Sequence, residues 1–298
     1  MTKRRYRRIA AAGAVIITGC LVLSLWIAAR IRDAGASRAV SSVLIEPRQP
    51  WATTGRAQPR SKTAMLSVAT PLAACEARIA SQPQRLPTVA IVGASYTAGT
   101  GPDNPELSWA VGLARLLHWN AVIYGVSGAG YVMTSPSGRG PMAHMLGQEE
   151  LHRLSPALVI VQAGHDDLGV PAGLEERRVR AAVDLITAAA PGARIALLTT
   201  FGNSAAGSPA LRLTDRAIVT AGTAADPGVI VMDPLAGHWT YPRAGGGLHP
   251  TAAGDEWIAH TVAGILLAHG VRPAPATATK PVICDVSVGG GKPSRATA

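Results

Sequence analysis

The chain has 298 residues, enough for one domain of ordinary size with flanking segments. Its formal charge of +10 invites a nucleic-acid reading, but residues 87–272 hold 11 Arg, no Lys and 14 Asp and Glu, a net of −3. The basic excess therefore lies on the two tails, which suit an anionic membrane or cell-wall surface rather than a groove that reads nucleic acid.

Lys3, Arg4, Arg5, Arg7 and Arg8 precede an uncharged apolar run over residues 9–29, closed by Arg30 and Arg32. That run has the length of a bilayer-spanning helix. The heavier charge in front of it places residues 1–8 in the cytoplasm and the rest of the chain outside. A retained single-pass anchor is the expected reading. Two alternatives stay open: a cleaved signal peptide, and a lipoprotein acylated at Cys20 within Ile17-Thr18-Gly19-Cys20. Residues 30–86 read as an extracytoplasmic linker, with a short helix over residues 71–84.

From Thr88 onward, strand and helix patterns alternate. Strands are expected at residues 88–93, 121–126, 156–161, 194–199 and 229–232. Ser108 is the expected N-cap of a helix running to Leu117. A helix over residues 174–189 places Val179, Ala182, Val183 and Ile186 on one face. Another helix covers 209–221. Pro250 opens the last helix in the favoured first-turn position, with Ile258, Val262, Ile265 and Leu266 as its stripe. Such alternation implies a three-layer α/β/α sandwich around a central parallel sheet. The long loops at 97–107 and 127–144 are expected to shape a substrate mouth, with Tyr96, Tyr131, Met142 and Met145 as candidate lining. Residues 273–298 form a tail that is irregular apart from a possible edge strand over 282–288.

Of three cysteines, Cys75 and Cys284 flank the predicted domain. In an oxidising compartment they are expected to pair, the alternative being two free thiols. The cysteines are far apart and lack histidines at ligand spacing, so no metal site is suggested.

The chemistry concentrates in four short blocks: Gly93-Ala94-Ser95-Tyr96, Gly125-Val126-Ser127-Gly128, Gly164-His165-Asp166-Asp167 and Leu248-His249-Pro250. Ser95 ends an apolar strand, the end at which open α/β sheets hold ligands. Taken in this order, the blocks resemble the SGNH hydrolases, the GDSL esterase/lipase family, across residues 87–272. The resemblance implies a flavodoxin-like fold and ester chemistry without a cofactor. Ser95 would be the nucleophile and His249 the base, and the oxyanion would be held by the N–H groups of Ser95 and Gly128 together with position 166. Two positions depart from the family pattern. Asp166 stands where the family has an asparagine donor, and an ionised carboxylate cannot donate. Gly246 stands where the family has the acid of Asp-x-x-His. Asp233, Asp166 or a backbone carbonyl are the candidates to orient the imidazole instead. The expected function is an extracytoplasmic esterase acting on an acyl group of an envelope glycan, a lipid or a small ester. Acyl transfer to a sugar hydroxyl and a non-catalytic carbohydrate- or acyl-binding module are the alternatives.

Overall fold

The structure, a computed structural model, describes residues 62–82, 86–102, 105–149, 151–202, 208–245 and 247–289. The apolar run at 9–29, Cys20, most of the expected linker and Gly246 lie outside the described residues. Among the described residues no helix is long and apolar enough to cross a membrane.

Helix α1 (Lys62–Ala80) leads into strand β1 (Thr88–Gly93), helix α2 (Trp109–Leu117) and strand β2 (Asn120–Gly125). Helices α3 (Met142–Gln148) and α4 (Leu151–Leu154) precede strand β3 (Leu158–Gln162) and helix α5 (Ala172–Ala189). Strand β4 (Arg194–Leu198), helix α6 (Pro209–Ala225), strand β5 (Ile230–Met232), helix α7 (Ala252–Ala268) and strand β6 (Ile283–Asp285) complete the chain. The sheet order is β5-β4-β3-β1-β2-β6, and every neighbouring pair is parallel.

The strands are apolar at almost every position because both faces of the sheet are covered. Successive side chains point to opposite faces. Ala90, Val92, Val122, Tyr124, Val159 and Val161 pack on one side with α5 residues Val179, Ala182, Val183 and Ile186, and with Leu72 and Ile79 of α1. Val89, Ile91, Ala121, Ile123, Leu158 and Ile160 pack on the other side with α2 and α7. This is the three-layer α/β sheet expected from the alternating pattern.

Local chemistry sets the helix ends. The Ser108 hydroxyl accepts from Val111 N at 3.4 Å and caps α2, as expected. Helix α7 starts later than expected: Thr251 is its N-cap, accepting from Gly254 N at 3.2 Å, and Pro250 stands outside it, bridged to Arg243. Helix α1 extends well upstream of the expected segment, carrying Pro71 within it, so residues 62–70 of the expected linker are helical.

The loop at 127–144 is also not what its glycines and prolines suggest. Its far end enters α3, and Tyr131, Met142 and Met145 are all but fully buried in the core on the α5 side. Tyr96 is buried on the opposite side. None of the four forms an open mouth. The expected edge strand forms at β6 and hydrogen-bonds to β2. Cys75 of α1 and Cys284 of β6 are joined by a disulfide, with Cα atoms 5.9 Å apart and 209 residues between them in sequence.

Candidate active site

Ser95 follows β1 in a helical turn, with Ala98 N bonded to Ala94 O at 2.9 Å and Thr100 N to Ser95 O at 3.0 Å. Gln162, at the end of β3, holds this turn from below. Its buried side-chain oxygen accepts from Thr97 Oγ1 at 3.0 Å, from Ala94 N at 3.2 Å and from Thr97 N at 3.3 Å. One amide thus meets the Thr97 hydroxyl and N–H, while Ala94 N is shared with the Gln162 carbonyl at 3.0 Å. The sequence offered a signal for it, a lone polar residue closing the apolar run Leu158-Val159-Ile160-Val161, which the reading passed over.

His249 sits in the loop that enters α7. Its carbonyl accepts from Ala244 N at 2.9 Å, and Thr251 N donates to Pro242 O at 3.0 Å. Gly101, with φ +126°, lets the loop after Ser95 run against this segment: a Cβ there would stand 2.3 Å from Pro250 O and 3.0 Å from His249 Cβ. The outcome is a direct contact between side chains 154 residues apart, with His249 Nε2 2.9 Å from Ser95 Oγ. Burial, followed by the nearby His165, lowers the imidazole pKa below its ordinary value. At neutral pH the ring is therefore uncharged and able to accept the serine proton.

The second block turns through Gly128 at φ +83°, with Ala129 N bonded to Val126 O at 3.1 Å. A third turn residue at positive φ is the position that favours glycine. The first and second blocks are linked by Thr100 Oγ1 and Ser127 Oγ at 2.7 Å.

In the third block, Asp167 accepts from Tyr131 N at 2.7 Å, Met133 N at 2.9 Å and Val132 N at 3.1 Å. It organises the loop after the second block. Asp166 has a buried Oδ2 with no hydrogen-bond partner among the described residues. Burial first, and then the Asp167 charge, raise its pKa to about 6. Asp233 Oδ1 accepts from Ala236 N at 2.8 Å and caps the turn after β5. Among the described residues, no hydrogen bond joins Asp166 or Asp233 to His249. No group of three His, Cys, Asp or Glu among the described residues is placed to hold a metal ion.

Around the imidazole stands an aromatic cluster that the sequence reading missed. Tyr96 stacks on Phe201 with centroids 4.1 Å apart and lies 5.3 Å from the His249 ring. Tyr241, Trp239 and Trp257 extend the cluster away from the site. These residues come from four separate loops and helices, so no local motif announces them.

An adjacent serine and imidazole at the carboxyl edge of a parallel sheet, beside a positive-φ glycine turn, can perform acyl transfer through the serine oxygen. The comparisons with known proteins agree with that chemistry. The GDSL lipase Rv0518 of Mycobacterium tuberculosis is 28% identical over 197 residues, 61% of this chain and 82% of the relative. A carbohydrate esterase family 2 enzyme with a carbohydrate-binding domain, from Corynascus thermopiles, superposes with a TM-score of 0.53 at 18% identity, covering 63% of this chain and 68% of the other. A family two carbohydrate esterase from Cellvibrio japonicus gives 0.52 at 17% identity, over 61% of each chain. At these identities the two structures speak for the fold. The sequence profile of the GDSL-like lipase/acylhydrolase family matches residues 91–257, more than half of the protein, and the chain belongs to that family.

Proposed function

We propose that this protein is a membrane-anchored, extracytoplasmic serine esterase with Ser95 as nucleophile and His249 as general base. The observation that carries the reading is the 2.9 Å contact between His249 Nε2 and Ser95 Oγ. Nε2 takes the hydroxyl proton as Oγ attacks the ester carbonyl. The tetrahedral oxyanion is held by the N–H groups of Ser95 and Gly128. Collapse of the adduct returns the proton to the leaving alcohol and leaves an acyl-enzyme, which water hydrolyses by the same route. The reaction calls for no cofactor.

An acylated envelope glycan, a lipid or a small ester is the substrate class. The two carbohydrate esterases of shared fold and the related lipase support an ester of this kind, and the basic, apolar N-terminus supports a place at the membrane. Asp166 favours a second reading. A carboxylate facing a developing oxyanion would oppose the reaction, so a binding module that keeps the cleft and has lost turnover is the alternative. Acyl transfer to a sugar hydroxyl differs from hydrolysis only in the acceptor.

The test uses the full-length chain in detergent with a short-chain activated ester and a fluorophosphonate probe. Wild type should hydrolyse the ester and be labelled at Ser95. Ser95→Ala should abolish the labelling and lower turnover by at least about 10³-fold. Equal rates in the two proteins would defeat the enzyme reading, whereas labelling at Ser95 would defeat the binding-module reading.

A further inference from the structure

An imidazole that serves as a general base must keep one nitrogen on the nucleophile and its proton on the other. In a triad a carboxylate enforces this, and no hydrogen bond joins His249 to a carboxylate among the described residues. The loop carrying His249 is held in another way. The Tyr96 hydroxyl donates to the carbonyl of Leu248, the peptide unit immediately before His249. Two consecutive residues of the turn after β1 therefore grip two consecutive residues of the base loop: Ser95 Oγ meets His249 Nε2, and Tyr96 Oη meets Leu248 O.

The proton count fixes the direction of the chain behind this grip. A phenol has one hydrogen to give. Tyr96 gives its hydrogen to Leu248 O, so the Tyr241 hydroxyl, 3.3 Å away, donates to Tyr96 Oη. The Arg243 guanidinium lies 4.9 Å from the centroid of the Tyr241 ring and donates to Gly202 O. The successive Tyr241 and Tyr96 hydroxyl donors polarise one another. Tyr96 is buried, and its phenol pKa is raised by burial first and then by Tyr241, so it stays a donor. Arg243 and Asp255 are the charged neighbours that act on Tyr96, and His165 is the one that acts on His249.

We propose that Tyr96 is the positioning residue for His249, fixing through the Tyr241–Tyr96–Leu248 chain the imidazole orientation that a triad acid would otherwise fix. This rests on the esterase reading for its catalytic consequence, though not for its structural one. Tyr96→Phe keeps the ring stacked on Phe201 and removes only the donor. The expected result is a fall of about 10- to 100-fold in kcat and in the rate of Ser95 labelling by a fluorophosphonate, with KM changed less than about threefold. Tyr241→Phe should give a smaller loss. The double variant should be no worse than Tyr96→Phe, because both act through one carbonyl.

A second readout needs no turnover. In full-length protein labelled with ¹⁵N-histidine, with His249→Ala for assignment, wild type should show His249 as a single tautomer protonated on Nδ1. Tyr96→Phe should show mixed tautomers. Wild-type labelling rate and an unchanged His249 signal in Tyr96→Phe would overturn the proposal. Should Tyr96→Phe fail to fold, Tyr241→Phe decides on the same two measurements. If wild type proves inactive and unlabelled, the esterase reading fails, and the histidine spectra alone decide whether Tyr96 holds the ring.

Discussion

Asp166 is one of the two positions, with Gly246, where residue identity and family chemistry pull apart. Its carboxyl can donate a hydrogen bond only when protonated, and burial beside Asp167 raises its pKa to about 6. In the esterase reading, the acid form assists the oxyanion and the ionised form repels it. His249 must meanwhile be neutral, and burial lowers its pKa below the ordinary value, which favours that form. Ester turnover should therefore fall as pH rises through about 6. Asp166→Asn donates at every pH. It should abolish the alkaline fall and raise kcat/KM at neutral pH by about 10-fold, because only about a tenth of wild-type Asp166 stays protonated one pH unit above its pKa of about 6. Paired pH–rate profiles check this, and an unchanged alkaline limb in the variant would place Asp166 away from the oxyanion.

Helix α5 meets the third block through its first turn. Glu175 is buried there, and burial first, then the neighbouring Asp167 charge, raise its pKa to about 9. A carboxyl whose folded pKa lies above its ordinary value of 4.5 favours the folded state fully only below that value. The contribution is lost as pH rises toward and through about 9. Thermal melts of wild type should fall between about pH 5 and about pH 9. Glu175→Gln should match wild type at the lower pH and exceed it at the upper. Parallel slopes would mean that Glu175 ionises in a solvated state. The same region shows why the mouth was misread. Tyr131, Met142 and Met145 are apolar or aromatic residues within a Gly- and Pro-rich stretch. Both a ligand mouth and a core use such side chains, and only the packing of α3 on α5 buries them.

Across the whole molecule, the disulfide joins the helix that precedes the sheet to the strand that ends it. Beyond β6 the chain continues to bond along the second block, with Ser287 Oγ accepting from Gly125 N at 2.8 Å and Val288 O accepting from Ser127 N at 3.1 Å. Removing the crosslink with Cys75→Ser/Cys284→Ser should cost about 2–4 kcal/mol. Thermal melts should show the wild-type midpoint falling to that of the variant on reduction. A midpoint insensitive to reductant would show that the staple contributes nothing to stability.

The order of strands and helices, the layered architecture and the meeting of Ser95 with His249 were legible in the linear chain. Each rests on short-range regularities: the short apolar runs of the strands, the helical stripe of Val179 to Ile186, and four compact blocks. Folding decided what depends on distant partners. Gln162 became the clamp of the serine turn because β3 lies beside β1. Tyr96 reached the carbonyl of Leu248, 152 residues away. Neither carboxylate offered for the imidazole became its hydrogen-bond partner. A side chain's type restricts what bonds it can make, but which groups come within 3 Å is set by how the layers close on one another.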